Sequence, residues 1–432
     1  MSGTYSYLSM NIFQRRESEV RSYCRSYPTV FERAEGARLF DREGRPYIDF
    51  FAGAGALNYG HNPPEMTAAM IAYIQEGGVL HSLDMATVAK QRFLENFESI
   101  VLKPRDMDHK VQFTAPTGTN AIEAALKLAR RVTGRRNIIA FSSGYHGLSS
   151  GALATTANQH FRHESWVQRL DVSFMPFDGY LGPEVDTLSY LKKSLTDHSS
   201  GVDMPAAIVL ETVQAEGGVN IARDTWLQGV AALCRQHGII LIIDDIQVGC
   251  GRTGEFFSFE QAGIEPDMIA LSKSISGAGL PMSVLLIRPE FDQWKPGEHT
   301  GTFRGNNLAF VTADIALNYW QDDQILETVH QTSRHLRSAL EKLSTEVPDI
   351  RATIRGRGMI QGMEFSDPNR CRNVAAQSFK NGLIIETCGS TGNVLKFLPP
   401  LTIDRETLDQ GLEILRDSIR QTVDGSSTLA SN

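Results

Sequence analysis

Between residues 110 and 288, short apolar runs alternate with stretches of helical periodicity. VQFTA, IIAFS, AAIVLE, IILIIDD, MIALS and SVLLI are separated by segments such as Thr119 to Val132. Runs this short, rich in β-branched residues and apolar throughout, predict strands buried on both faces. Their alternation with helices predicts a largely parallel sheet with helices on both sides, an α/β fold. Such sheets bind ligands beyond the carboxyl ends of their strands. Asp244 and Asp245 end one of these runs, and Lys273 ends another.

The flanks have different patterns. Residues 31–58 read as short strands with a Glu-Gly turn, leading into the small-residue segment FFAGAGA, where backbone can approach closely and form a site wall. Beyond Asn306 a long helical pattern reaches Leu343. Three short strand segments follow, then a last helix over Arg405 to Gln421. The predicted organisation is an N-terminal segment, 1–60, that joins a small α+β domain formed by 311–432, with a large domain over 61–310. The first dozen residues and the last ten or so are polar and small, and are expected to be mobile.

Composition narrows the function. A net charge of −8 across 432 residues gives no basic field for nucleic acid or anionic lipid. Cys24, Cys234, Cys250, Cys371 and Cys388 have neither disulfide-framework nor zinc-site spacing, so no metal is expected and a reducing cytoplasm is. No apolar stretch approaches a membrane span or the core of a signal peptide.

Four places carry candidate chemistry. Gly118 and Thr119 lie between a strand and an amphipathic helix, where free N–H groups and the helix dipole suit a phosphate, although taken alone a plain capped turn is the readier account. Tyr145 and His146 follow the next strand, and the tyrosine could stack on a planar ring. Glu211 and Glu216 follow AIVL and read equally as a solvated loop. Asp244 and Lys273 are harder to dismiss. A carboxylate and an ammonium at buried strand tips each need a counter-group, a shifted pKa or covalent use. One pyridinium ring whose aldehyde meets Lys273 and whose nitrogen faces Asp244 satisfies both, and a direct Asp244–Lys273 ion pair is the alternative.

In order along the chain, the phosphate turn, YHG, DDIQ with GCGRTG, SKS and GTFRGN resemble the class III pyridoxal-phosphate aminotransferases of fold type I, over nearly the whole chain. Within that class, FFAGAGALNYGHN, PTGTNAIEAALKLAR and KPGEHTGTFRGNN resemble the diaminobutyrate–2-oxoglutarate aminotransferases of ectoine biosynthesis. The resemblance implies pyridoxal 5'-phosphate as cofactor, and raises a monovalent cation as a second. It implies Lys273 as the lysine that carries the cofactor and moves the proton, and Asp244 at the ring nitrogen. Gln247 would lie near the phenolic oxygen, Tyr145 over the ring, and His146 and Glu211 beside the cofactor. Gly118 and Thr119 would hold the phosphate, with Thr302 supplied by a neighbouring subunit of a homodimer or larger assembly. Glutamate and aspartate 4-semialdehyde are the substrates implied.

The chain departs from the class pattern at several positions. Asn120 and Asp245 stand where glutamates are usual, and Arg304 and Asn307 where Gly and Pro are common. Lys396 occupies the place of a carboxylate-gripping arginine. An ammonium lacks the bidentate fork, so Arg304 is the candidate for the second charge on a substrate carboxylate, beside Lys396. Rival readings are another ω-aminotransferase, for ornithine, 4-aminobutyrate or a polyamine, and a non-catalytic cofactor-binding regulator.

Overall fold

The computed structural model describes residues 12–162, 171–347 and 350–429. Near the N-terminus, β1 (Phe31–Glu35), β2 (Arg38–Asp41) and β3 (Pro46–Asp49) form an antiparallel meander. The central sheet takes β4 (Lys110–Phe113), β5 (Ile138–Phe141), β6 (Val172–Met175) and β7 (Ala207–Leu210). A two-stranded ribbon of β8 (Val213–Gln214) and β9 (Asn220–Ile221) intervenes. The sheet is completed by β10 (Ile240–Asp244), β11 (Met268–Ser272) and β12 (Ser283–Ile287).

The strand order is β4-β12-β11-β10-β7-β5-β6, and β12 alone runs antiparallel to its neighbours. All six predicted runs are strands of this sheet. β6 is an additional strand without a continuous apolar run, and its residues Val172, Ser173 and Phe174 are only half-buried. Burial on both faces explains the unbroken apolar runs of β5, β7, β10, β11 and β12, each buried along its whole length.

The helix Gly118–Thr133 shows how local sequence sets the site. Thr117 and Asn120 cap its start, with Thr117 Oγ1 2.6 Å from Asn120 Oδ1, and Gly134 ends it in the left-handed region at φ 67°. Its buried face includes Ile122, Leu126 and Leu128. Each of these side chains stabilises the packing by roughly 1.5–3 kcal/mol. The position that departs from the class pattern, Asn120, is therefore used to fix the helix start.

After the sheet the chain forms the helices Asn307–Leu317 and Gln324–Glu346. They replace the single long helix expected there, because a 3-10 turn at Asn318–Trp320 and the adjacent Asp322 and Asp323 break it. The domain boundary expected at residue 310 falls inside the first of these helices. β13 (Ala352–Arg357), β14 (Ile360–Phe365), β15 (Leu383–Ile384), β16 (Glu386–Cys388) and β17 (Val394–Phe397) follow. β13-β14-β17-β16 form one antiparallel sheet, while β15 pairs in parallel with β3, tying the two ends of the chain together. The final helix spans Arg405–Leu429 and so includes most of the tail expected to be mobile. The corresponding expectation for residues 1–11 lies outside the described residues.

Candidate active site

The loops after the parallel strands gather the site. Gly118 follows β4, Tyr145 and His146 follow β5, Glu211 follows β7, Asp244 ends β10, and Lys273 follows β11. Parallel pairing of β10 with β7 and β11 sets the tips side by side, with Asp244 in register with Ala270.

Asp244 and Lys273 do not pair with each other. The counter-group of Asp244 is His146, whose Nδ1 lies 2.8 Å from Asp244 Oδ2 in a fully buried contact. Burial alone would lower the His146 pKa, but the hydrogen bond and charge of Asp244 outweigh it, and the pKa is raised. Ile246 N also donates to Asp244 Oδ1, at 3.2 Å. Glu211 is likewise buried, accepts a hydrogen bond from Tyr145 N at 2.9 Å, and is pushed up to about 8 by burial, with the charge of Asp244 adding to the shift. The solvated-loop alternative for Glu211 and Glu216 is thereby corrected.

Lys273 sits just past its strand with φ 55°, a left-handed conformation that costs a non-glycine residue energy and marks a position held by its surroundings. Among the described residues its ammonium has no carboxylate of its own, since Asp244 is taken by His146 and Glu216 by Lys396. Burial pulls its pKa down to about 8, with Glu216 opposing and Lys396 reinforcing the shift. A lysine amine that titrates near neutral pH is a usable nucleophile and proton carrier.

Around these groups the backbone leaves room of a definite kind. A Cβ on Gly118 would lie 2.8 Å from Ile246 Cδ1, so only glycine permits this approach of the helix start to the loop after β10. Thr119 Oγ1 lies 2.6 Å from Ser149 Oγ. The capping pair occupies Thr117 and Asn120, and the first-turn N–H groups of Gly118 and Thr119 project from the helix end, where an anion is favoured. Ala52 and Ala54 adopt positive φ, and Ser274, next to Lys273, donates to Gly55 O at 2.6 Å. The small-residue segment is therefore a wall beside Lys273.

A second cluster lies on the small-sheet side. Lys396 is completely buried, 2.5 Å from Glu216 Oε1, 3.0 Å from Glu386 Oε1 and 3.1 Å from Gln247 Oε1. Gln247 Nε2 donates to Ala54 O and Glu216 Oε1. Lys396 already donates to Glu216 and Gln247 and has the charge of Glu386 beside it, which corrects the expectation of a free ammonium waiting for a substrate carboxylate.

Thr302 and Arg304 stand apart from both clusters. Thr302 and Phe303 are exposed, and Phe303 is 68% accessible. Arg304 lies against Gly301, its Nε and Nη1 buried without a hydrogen-bond partner, and burial lowers its pKa. A separate cleft of about 490 Å³ lies beyond Gly217, between Ser143 and Tyr180 on one side and Arg355 and Asn393 on the other.

Sequence reasoning missed Ile246, Glu386 and Tyr23. The Tyr23 phenol, from the N-terminal segment, feels Glu386, Glu216, Lys396 and Tyr145. A half-buried lysine without a carboxylate partner among the described residues, a carboxylate held by a histidine, and a glycine-lined anion turn fit pyridoxal phosphate.

Residues 22–419 match the Aminotransferase class-III family. The diaminobutyrate–2-oxoglutarate transaminase of Wolinella succinogenes is 58% identical over 414 residues, covering 96% of this chain and 97% of that protein. The enzyme of the same name from Halalkalibacterium halodurans is 52% identical, covering 97% and 98% respectively. Among solved structures, the ornithine aminotransferase of Toxoplasma gondii superposes with a TM-score of 0.83 at 26% identity, over 96% of this chain and 95% of that one.

Proposed function

The chain belongs to the class-III aminotransferases, and on that premise we propose that it transfers the amino group of L-glutamate to L-aspartate 4-semialdehyde, giving L-2,4-diaminobutyrate and 2-oxoglutarate. The observation that carries this reading is near-full-length identity above 50% to transaminases of that name. Likeness of fold alone would not choose among the substrates of the class.

The cofactor is pyridoxal 5'-phosphate. When bound, it supplies an aldehyde that takes up an amino group and a ring that makes the neighbouring C–H acidic. Lys273 would hold it covalently, and the Lys273 Nζ, with a pKa of about 8, takes the proton from the substrate carbon and returns it. Asp244, oriented by His146, would hold the ring nitrogen. Tyr145 and Ile246 would flank the ring, and the N–H groups of Gly118 and Thr119 would receive the phosphate. Because 2-oxoglutarate leaves before the semialdehyde binds, with the amino group retained on the loaded enzyme in between, the kinetics are ping-pong.

A homodimer with shared sites goes with this reading. Thr302 and Phe303 are exposed, and Arg304 beside them makes no ion pair among the described residues. We assign Thr302 to the partner's phosphate and Arg304 to a substrate carboxylate there. A cytoplasmic setting suits five unpaired cysteines. The test is an acceptor screen with purified enzyme and glutamate as donor. Aspartate 4-semialdehyde should be used best, and a preference for the aldehydes derived from ornithine, 4-aminobutyrate or a polyamine would reject the substrate assignment.

A further inference from the structure

Lys396 is a single ammonium bracketed by two carboxylates. Glu386 faces it directly across the β16–β17 ladder, as its register partner, while Glu216 reaches it from the loop between β8 and β9. The two acids are not equivalent. Glu386 is fixed on a strand and its side chain is 8% exposed; that of Glu216 is 29% exposed and is followed by Gly217 and Gly218. Glu386 Oε1 lies 3.0 Å from Nζ but is misaligned for a hydrogen bond, so its contribution to Lys396 is one of charge. Glu216 makes the hydrogen bond.

One positive charge does not need two negative ones. Once Lys273 is committed to the cofactor, the set Glu216, Glu386 and Lys396 carries one carboxylate in excess. The excess resides on the acid that can reach the site, Glu216, provided that Glu386 remains to neutralise Lys396.

We propose that Glu386 is a positioning residue for substrate choice: by holding the Lys396 charge from the strand, it leaves Glu216 to receive the second ammonium of a diamino acid, the one remote from the reacting amine. The inference rests on the functional reading above, because L-2,4-diaminobutyrate carries such an ammonium and L-glutamate does not. It also explains why a lysine serves here. A compact ammonium fits between two acids whose separation a planar guanidinium would widen.

The groups around Glu386 are Lys396, Glu216, Lys273, the Tyr23 and Tyr27 phenols, and the Cys388 thiol. Burial raises Glu386 to about 7, with Lys396 opposing. Selectivity for the second ammonium should therefore weaken as pH falls through 7, when Glu386 takes a proton and Lys396 draws Glu216 back.

The experiment compares L-2,4-diaminobutyrate with 4-aminobutyrate, which lacks only the α-ammonium, as competitive inhibitors of glutamate in the loaded enzyme at pH 8. Wild type should favour diaminobutyrate by about 10-fold or more, and Glu386→Gln should shrink that ratio to about 2-fold or less, with the KM for glutamate changed less than about 2-fold. A ratio unchanged in Glu386→Gln, or inhibition by both compounds and glutamate affinity weakened alike, overturns the proposal. If Glu386→Gln does not fold, Glu386→Met, which also removes the charge at similar length, carries the same comparison, and an unaltered ratio there overturns it equally. Failure of wild type to act on diaminobutyrate at all would instead reject the functional reading.

Discussion

Asp244 and His146 lie 98 residues apart in the chain and 2.8 Å apart in the fold, both buried, so the acid at the tip of β10 is held by an imidazole from the loop after β5. The pair gives a buried carboxylate a hydrogen-bond partner and a fixed orientation.

Asp244→Asn should therefore cost catalysis more than folding. The amide keeps the shape but cannot stabilise a protonated ring nitrogen. A loss of about 10²-fold or more in kcat, roughly 3 kcal/mol of transition-state stabilisation, is expected with a small change in Tm. Near-normal kcat with a large fall in Tm would make the pair purely structural.

The depressed Lys273 sets a pH dependence for cofactor capture. Only the neutral amine attacks an aldehyde, so the rate at which apoenzyme takes up pyridoxal phosphate should rise with pH, with its midpoint near 8. Stopped-flow absorbance measures this directly. A midpoint above 10, the range of an ordinary exposed lysine, would show that burial does not tune it.

Gly118→Ala places a methyl 2.8 Å from Ile246 Cδ1. Overpacking of this kind costs about 1–3 kcal/mol, and here it falls on the turn that would receive the phosphate. Cofactor affinity should fall about 10-fold or more, read by equilibrium dialysis, with the circular dichroism of the folded chain retained.

Much of this site was legible in the sequence, and the reason is physical. A charged residue ending a fully apolar run has few bland explanations, so Asp244 and Lys273 stood out before any partner was known. Gly118 beside a helix start was less telling, because a plain capped turn accounts for it until the close approach of Ile246 is seen. The second cluster was not legible: Glu216 lies in a loop, while Glu386 and Lys396 alternate with apolar residues on short strands. Each looks like a solvent-facing charge until β16 and β17 pair, bury Glu386 and Lys396 together and bring Lys396 to the half-buried Glu216. The helix break at Asn318–Trp320 escaped for a related reason, since its Tyr and Trp continue the apolar period.

Lys396→Met tests that burial. Removing the ammonium leaves Glu216 and Glu386 facing each other without a cation, and breaking a buried pair in this way typically costs about 3–5 kcal/mol. The loss should be greatest near pH 8 and smaller near pH 5, where an unpaired carboxylate with a raised pKa is protonated and the repulsion disappears. Thermal melts across that range would show it, and a pH-independent loss would mean that packing alone is at stake.

A mixed assembly tests whether Arg304 serves a neighbour. Lys273→Ala and Arg304→Ala subunits refolded together in equal amounts should regain about a quarter of wild-type activity if Arg304 acts across a two-fold interface, since half the dimers then hold one intact site. Activity no greater than that of the Arg304→Ala homodimer would place the arginine with its own chain.

The most direct measurement of the central claim is a single turnover without acceptor. Loaded enzyme mixed with L-glutamate alone should release one equivalent of 2-oxoglutarate per Lys273 site. A later addition of L-aspartate 4-semialdehyde should yield one equivalent of L-2,4-diaminobutyrate, with neither product formed by Lys273→Ala. Release of 2-oxoglutarate only when the semialdehyde is already present, or full turnover by Lys273→Ala, would contradict the account.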